Sequence, residues 1–64
     1  MTIVKCLEMI QHPTKPNQWA ISFIYGDNDG DVIRVGSQQE ISELYEKYRT
    51  ELIGVEYSKA IELI

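Results

Sequence analysis

WAISFIYGDNDGDVIRVGS, Trp19 to Ser37, decides the fold. Its opening WAISFIY is rich in aromatic and β-branched residues, with Trp19, Ile21, Phe23 and Tyr25 at alternate positions. That is the pattern of a strand with one face in a core. DVIRVGS is a second strand candidate, and the polar link between the two makes a hairpin. Asp27-Asn28-Asp29-Gly30 reads as a type I turn, with aspartate favoured at the first position and a glycine able to take φ > 0 at the last. Followed by a left-handed glycine, such a turn gives a three-residue hairpin loop with a bulge.

This register sets Asp27 opposite Asp31, Tyr25 opposite Ile33 and Phe23 opposite Val35. One face then carries Trp19, Ile21, Phe23, Tyr25, Ile33 and Val35, and the other Ala20, Ser22, Ile24, Gly26, Val32, Arg34 and Gly36. A two-residue Asp29-Gly30 turn competes. Because side chains alternate with period two, that one-residue shift brings Arg34 among the aromatics. The longer loop keeps the charge off the core face, and its cost is a pair of facing aspartates at a solvent-screened tip.

GDNDGD also invites reading as a calcium loop. An EF-hand needs oxygen ligands at its first, third and fifth positions, glycine at the sixth and glutamate at the twelfth. Counted from Asp27, the sixth is Val32 and the twelfth Gln38; counted so that Gly30 is sixth, the first is Tyr25 and the twelfth Gly36. Neither frame works, and the hairpin reading stands.

Upstream, Thr2 to Ile10 mixes apolar residues with single charges and is expected to be a strand. QHPTKPNQ, Gln11 to Gln18, carries two prolines and reads as a loop. Downstream, Ser37 followed three residues later by Glu40 is a capping box that opens a helix. Ile41, Leu44, Tyr45, Tyr48 and Leu52 form one apolar stripe along it, and Gly54 sits where a left-handed cap is expected. The tail VEYSKAIELI fits both periods: Val55, Tyr57, Ile61 and Leu63 alternate, while Tyr57, Ala60, Ile61 and Ile64 have helical spacing. A final strand is preferred, since β-α-β would place it parallel to the first strand by the usual crossover. The expected fold is therefore a single small α+β domain over 1–64: a two-layer sandwich of an antiparallel meander with one amphipathic helix on one face, βββαβ, or βββαα if the tail is helical.

A chain of 64 residues buries a marginal core, about 60% of the surface its unfolded form exposes. Cys6 is the only cysteine, which excludes an internal disulfide and suits a reducing, cytoplasmic setting. Lys5 and Glu8 interrupt the apolar amino terminus, so neither a signal-peptide core nor a membrane span of ~20 apolar residues is expected. Ten acidic residues against six basic ones leave a net charge of −4, which disfavours direct nucleic-acid binding.

No catalytic constellation emerges. His12, the only histidine, precedes a proline in a polar loop. Nothing around Cys6 specifies the electropositive setting an activated thiol needs, and burial in the strand is the default for it. No zinc spacing, phosphate loop or dinucleotide fingerprint is present, so no cofactor is expected. The aromatic strand resembles a base-stacking sheet only in its rings, since such sheets also need basic grooves.

Two surfaces remain as interaction candidates. The outer sheet face carries Ile24, Val32 and Arg34 with Ala20, and a strand tail would leave it uncovered. The outward helix face carries Glu40, Glu43, Glu46 and Glu51, which a partner with a basic surface would read. The expected function is a non-enzymatic protein-interaction module, an inhibitor or accessory factor of the kind frequent among phage and mobile-element proteins, self-associating through its sheet as a homo-oligomer. The alternative is a nucleic-acid-associated role, as an acidic mimic of phosphate charge or a weak single-strand binder.

Overall fold

A computed structural model describes residues 1–64. β1 (Cys6–Gln11), β2 (Trp19–Ile24) and β3 (Gly30–Gly36) form one antiparallel sheet in the order β1-β2-β3. Two helices follow, α1 (Gln38–Glu51) and α2 (Tyr57–Leu63), so the chain is α+β with the element order βββαα. Of the two readings of the tail, the helical one holds. Its spacing buries Ala60 completely.

The preferred parallel strand beside β1 does not form, because the amino-terminal segment already satisfies the backbone ahead of α2. Val4 N–H donates to the Val55 carbonyl (2.9 Å), Gly54 N–H to the Val4 carbonyl (2.8 Å) and Tyr57 N–H to the Thr2 carbonyl (2.7 Å). Ile3 and Glu56 form an isolated antiparallel bridge at the centre of this clasp. The first regular strand accordingly starts at Cys6, not Thr2.

The hairpin register differs from the expected one. Ile24 faces Gly30, Phe23 faces Asp31 and Ser22 faces Val32; beyond a shift, Ile21 faces Arg34, Ala20 faces Val35 and Trp19 faces Gly36. Ile33 is thus an extra residue in β3, a bulge that exchanges the two faces of the strand beyond it. The loop runs from Tyr25 to Asp29, closed by Tyr25 N–H donating to the Asp29 carbonyl (3.0 Å), and no residue in it has positive φ. Gly30 serves close approach instead: a Cβ there would lie 2.9 Å from the Phe23 carbonyl oxygen. Three assignments are corrected by the bulge, the first being Gly36, which faces Trp19 on the helix side. Val35 joins Ala20 on the outer face, and Arg34 falls opposite Ile21 on the helix side. A charge is tolerated there because its long stem carries the guanidinium outward. Nη2 donates to the Ile64 carbonyl at 3.0 Å, and the residue stays exposed.

Both halves of the α1 capping box are present: Glu40 N–H donates to Ser37 Oγ (3.2 Å), and Ser37 N–H donates to Glu40 Oε1 (3.3 Å). At the other end Leu52 N–H donates to the Tyr48 carbonyl (2.7 Å), and Gly54, two residues on, takes φ +89°. Leu7, Ile21 and Phe23 from the sheet meet Ile41, Tyr48 and Leu52 in the buried core, with Val4 and Ala60. Phe23 lies at its centre, edge-on to Tyr48 and to Tyr57 with ring centroids 6.1 Å apart in each pair. Burying a side chain of that size contributes about 1.5–3 kcal/mol. Leu44 and Tyr45 pack at the margin, half-buried. Because α2 docks on the Phe23 side through Tyr57 and Ala60, both helices crowd one face of the sheet.

Candidate functional site

The other face is open. Pairing places Cys6, Glu8 and Ile10 of β1 beside Ile24, Ser22 and Ala20 of β2, with Val32 and Val35 of β3 on the far side. Val32, Val35 and Ile10 are 58%, 54% and 41% exposed, and no element lies over them. Ile24 and Val32 fall on this face as expected; Arg34 does not, for the reason given by the bulge.

One end of the open face deepens into a groove of about 390 Å³. Its apolar wall is Ile10, Pro13, Trp19, Ala20, Val32 and Val35, and its polar rim is Gln11, His12, Lys15 and Gln18. The β1–β2 loop builds that rim by internal bonds. His12 N–H donates to the Gln18 carbonyl (2.8 Å), Gln18 N–H to the Lys15 carbonyl (2.9 Å) and Gln11 Nε2 to the Pro16 carbonyl (2.9 Å). His12 Nδ1 accepts from the backbone N–H of Thr14 and of Lys15, each at 3.1 Å. Those bonds leave the ring hydrogen on Nε2. Sequence reasoning missed this rim, having read Gln11 to Gln18 as a plain connector. A usable signal was the run from Met9 to Gly26, which contains no acidic residue in an otherwise acidic chain.

The acidic helix face lies on the opposite side of the molecule and is partly spoken for. The Glu40 carboxylate turns back to its own cap, and Glu46 pairs with Arg49 at 2.7 Å. Glu43 and Glu51 remain exposed. Two of the four carboxylates expected to meet a partner are therefore engaged within the helix.

Asp31 gathers a second polar cluster. Its Oδ2 accepts from Tyr57 Oη at 2.7 Å and from Tyr25 Oη at 3.2 Å, with the two rings 4.9 Å apart. The Tyr57 phenol is pushed up to about 12, first by its hydrogen bond to Asp31 and then by burial and the nearby negative charge. Burial and Asp31 raise the Tyr25 phenol as well. Both hydroxyls are thereby held as protonated donors, which suits a clasp between α2 and β3 and not a base or nucleophile.

Cys6 is exposed, contrary to the expected burial, because it points to the open face opposite Ile24. It stands at the other end of β1 from His12, roughly 20 Å away along an extended strand, too far for a nucleophile and its base. No group of three or more His, Cys, Asp or Glu side chains is placed to hold a metal ion. No helix is long and apolar enough to cross a membrane. No family model, curated protein or solved structure matches the chain closely enough to show a relationship.

Proposed function

We propose that this protein is a non-enzymatic interaction module that docks another protein on the open face of its sheet. The observation that carries the reading is the exposure of Val32, Val35 and Ile10 on a face that neither helix covers. With strands about 4.8 Å apart and a rise of about 3.4 Å per residue, the face measures roughly 300 Å². Glu8 and Ser22 take part of that area, so the apolar patch centred on Val32, Val35 and Ile10 is smaller. A stable interface of standard size takes about 800 Å² from each partner. Self-association through this face alone is therefore transient, and a partner that also reaches the groove gains more.

The test is affinity capture from host lysate, nuclease-treated, with the wild-type protein and with Val32→Glu/Val35→Glu as baits. Both side chains are more than half exposed, so the variant keeps its near-ultraviolet signal. A protein recovered by the wild type and lost by the variant supports the open face as the contact surface. Equal recovery by both baits removes it. Sedimentation at rising concentration adds the second readout: weak self-association of the wild type, abolished in the variant.

A further inference from the structure

We propose that the groove beside Lys15 receives a peptide segment of the docked partner in which a large apolar side chain stands next to a carboxylate. The proposal rests on the reading of the open face as a protein-docking surface and names the chemistry it selects. The apolar side chain lies against Ile10, Ala20 and Val35; the carboxylate meets Lys15 Nζ and the Nε2 hydrogen of His12.

Charge is the first argument. None of the ten residues lining the groove is acidic, although the chain holds ten Asp and Glu among its 64 residues. The ion pairs of the protein are Lys5–Asp27 and Arg49–Glu46, so the Lys15 ammonium has no partner. His12 spends Nδ1 on the Thr14 and Lys15 backbone, which aims its remaining donor away from the loop. An ammonium without an ion pair and a ring N–H on the rim of an apolar groove complement a single carboxylate. A polyanion such as nucleic acid is repelled by the net charge of −4.

Continuity is the second. Ile10, Ala20, Val32 and Val35 line the groove and also belong to the open face. A small free acid would fill the groove and leave that face bare, whereas a peptide extends from one onto the other. The volume, about 390 Å³, accommodates a leucine or phenylalanine side chain with its adjoining backbone.

Occupancy is read from the backbone amide shifts of Ile10, Ala20 and Val35, which line the groove. The probes are the capped peptide leucyl-aspartyl-phenylalanyl-aspartyl-leucine and its counterpart with asparagine for both aspartates. They are titrated at low salt into the wild type and into Lys15→Gln, whose replaced side chain makes no contact the fold depends on. The expected result is a saturable shift of these amides, with the acidic peptide binding about fivefold more tightly than the neutral one. Lys15→Gln should remove most of that difference while leaving the neutral peptide unchanged. Equal binding of the two peptides, or a preference undiminished in Lys15→Gln, overturns the proposal. So does the absence of any shift of these amides at millimolar peptide. In that last case the docking face itself still stands if the Val32/Val35 variant loses its captured partner.

Discussion

Tyr57, in the first turn of α2, donates its phenolic hydrogen to Oδ2 of Asp31 on β3, 26 positions earlier in the chain, across 2.7 Å. A helix as short as Tyr57–Leu63 has no stability of its own in water, so such docking contacts hold it in place. Ala60 supplies the buried anchor and the Tyr57–Asp31 bond the polar one.

That bond has an alkaline signature. Folding raises the Tyr57 phenol from 10.0 to about 12, so the folded state disfavours ionisation. The associated stability is fully present below pH 10.0 and declines as pH climbs towards about 12. Ultraviolet titration of the wild type should show part of the phenolate absorbance delayed to that upper range. Asp31→Asn should bring it back towards 10.0, and an unchanged titration would remove the clasp.

Tyr48 and Tyr45 lie three residues apart on α1 but differ in depth. Tyr48 is 4% exposed and packs edge-on against Phe23, whereas Tyr45 is half-buried. Tyr48→Ala should cost about 3–5 kcal/mol, and Tyr45→Ala about 1 kcal/mol. A domain of this size has roughly 3–10 kcal/mol in total, so the first variant should be largely unfolded and the second largely folded. Urea unfolding read by circular dichroism checks the order; equal midpoints would contradict the core described.

Ser37→Ala should cost about 1 kcal/mol by removing the acceptor of the Glu40 N–H. The loss should be local first. Amide exchange at Glu40 and its neighbours should quicken before exchange at Tyr48 changes, and uniform quickening would show that the cap is not a separable contribution.

Gly54→Ala separates backbone strain from crowding. A Cβ at this position meets nothing within 4 Å, yet the residue sits at φ +89°. The expected cost of about 1 kcal/mol is therefore conformational, and Gly54→Asn should recover part of it. If thermal melts of wild type, alanine and asparagine variants coincide, the left-handed turn has relaxed.

What the sequence disclosed follows the range of the interactions responsible. The α1 start was legible because Ser37 and Glu40 bond to each other's backbone within one turn. Ile24 and Val32 were legible because strict alternation holds up to the bulge. Arg34 and Val35 were misplaced because nothing local to DVIRVG marks Ile33 as the extra residue. The tail was ambiguous because the choice depended on Thr2 to Val4, far away in sequence, taking up the backbone groups of Gly54 to Tyr57. Lys15 and His12 come to line the groove only because their loop folds against the end of the sheet.

The bulge at Ile33 also makes the two margins of the sheet unequal. β1 and β3 are both edge strands, and each leaves backbone donors and acceptors without a strand beyond it. Along β1 the pairing with β2 runs without interruption from Cys6 to Gln11, so its free margin presents evenly spaced groups. Along β3 the extra residue breaks that spacing midway and increases the local twist. An incoming strand from another chain finds a regular template on one side only, which disfavours strand-by-strand growth through both margins into a fibre.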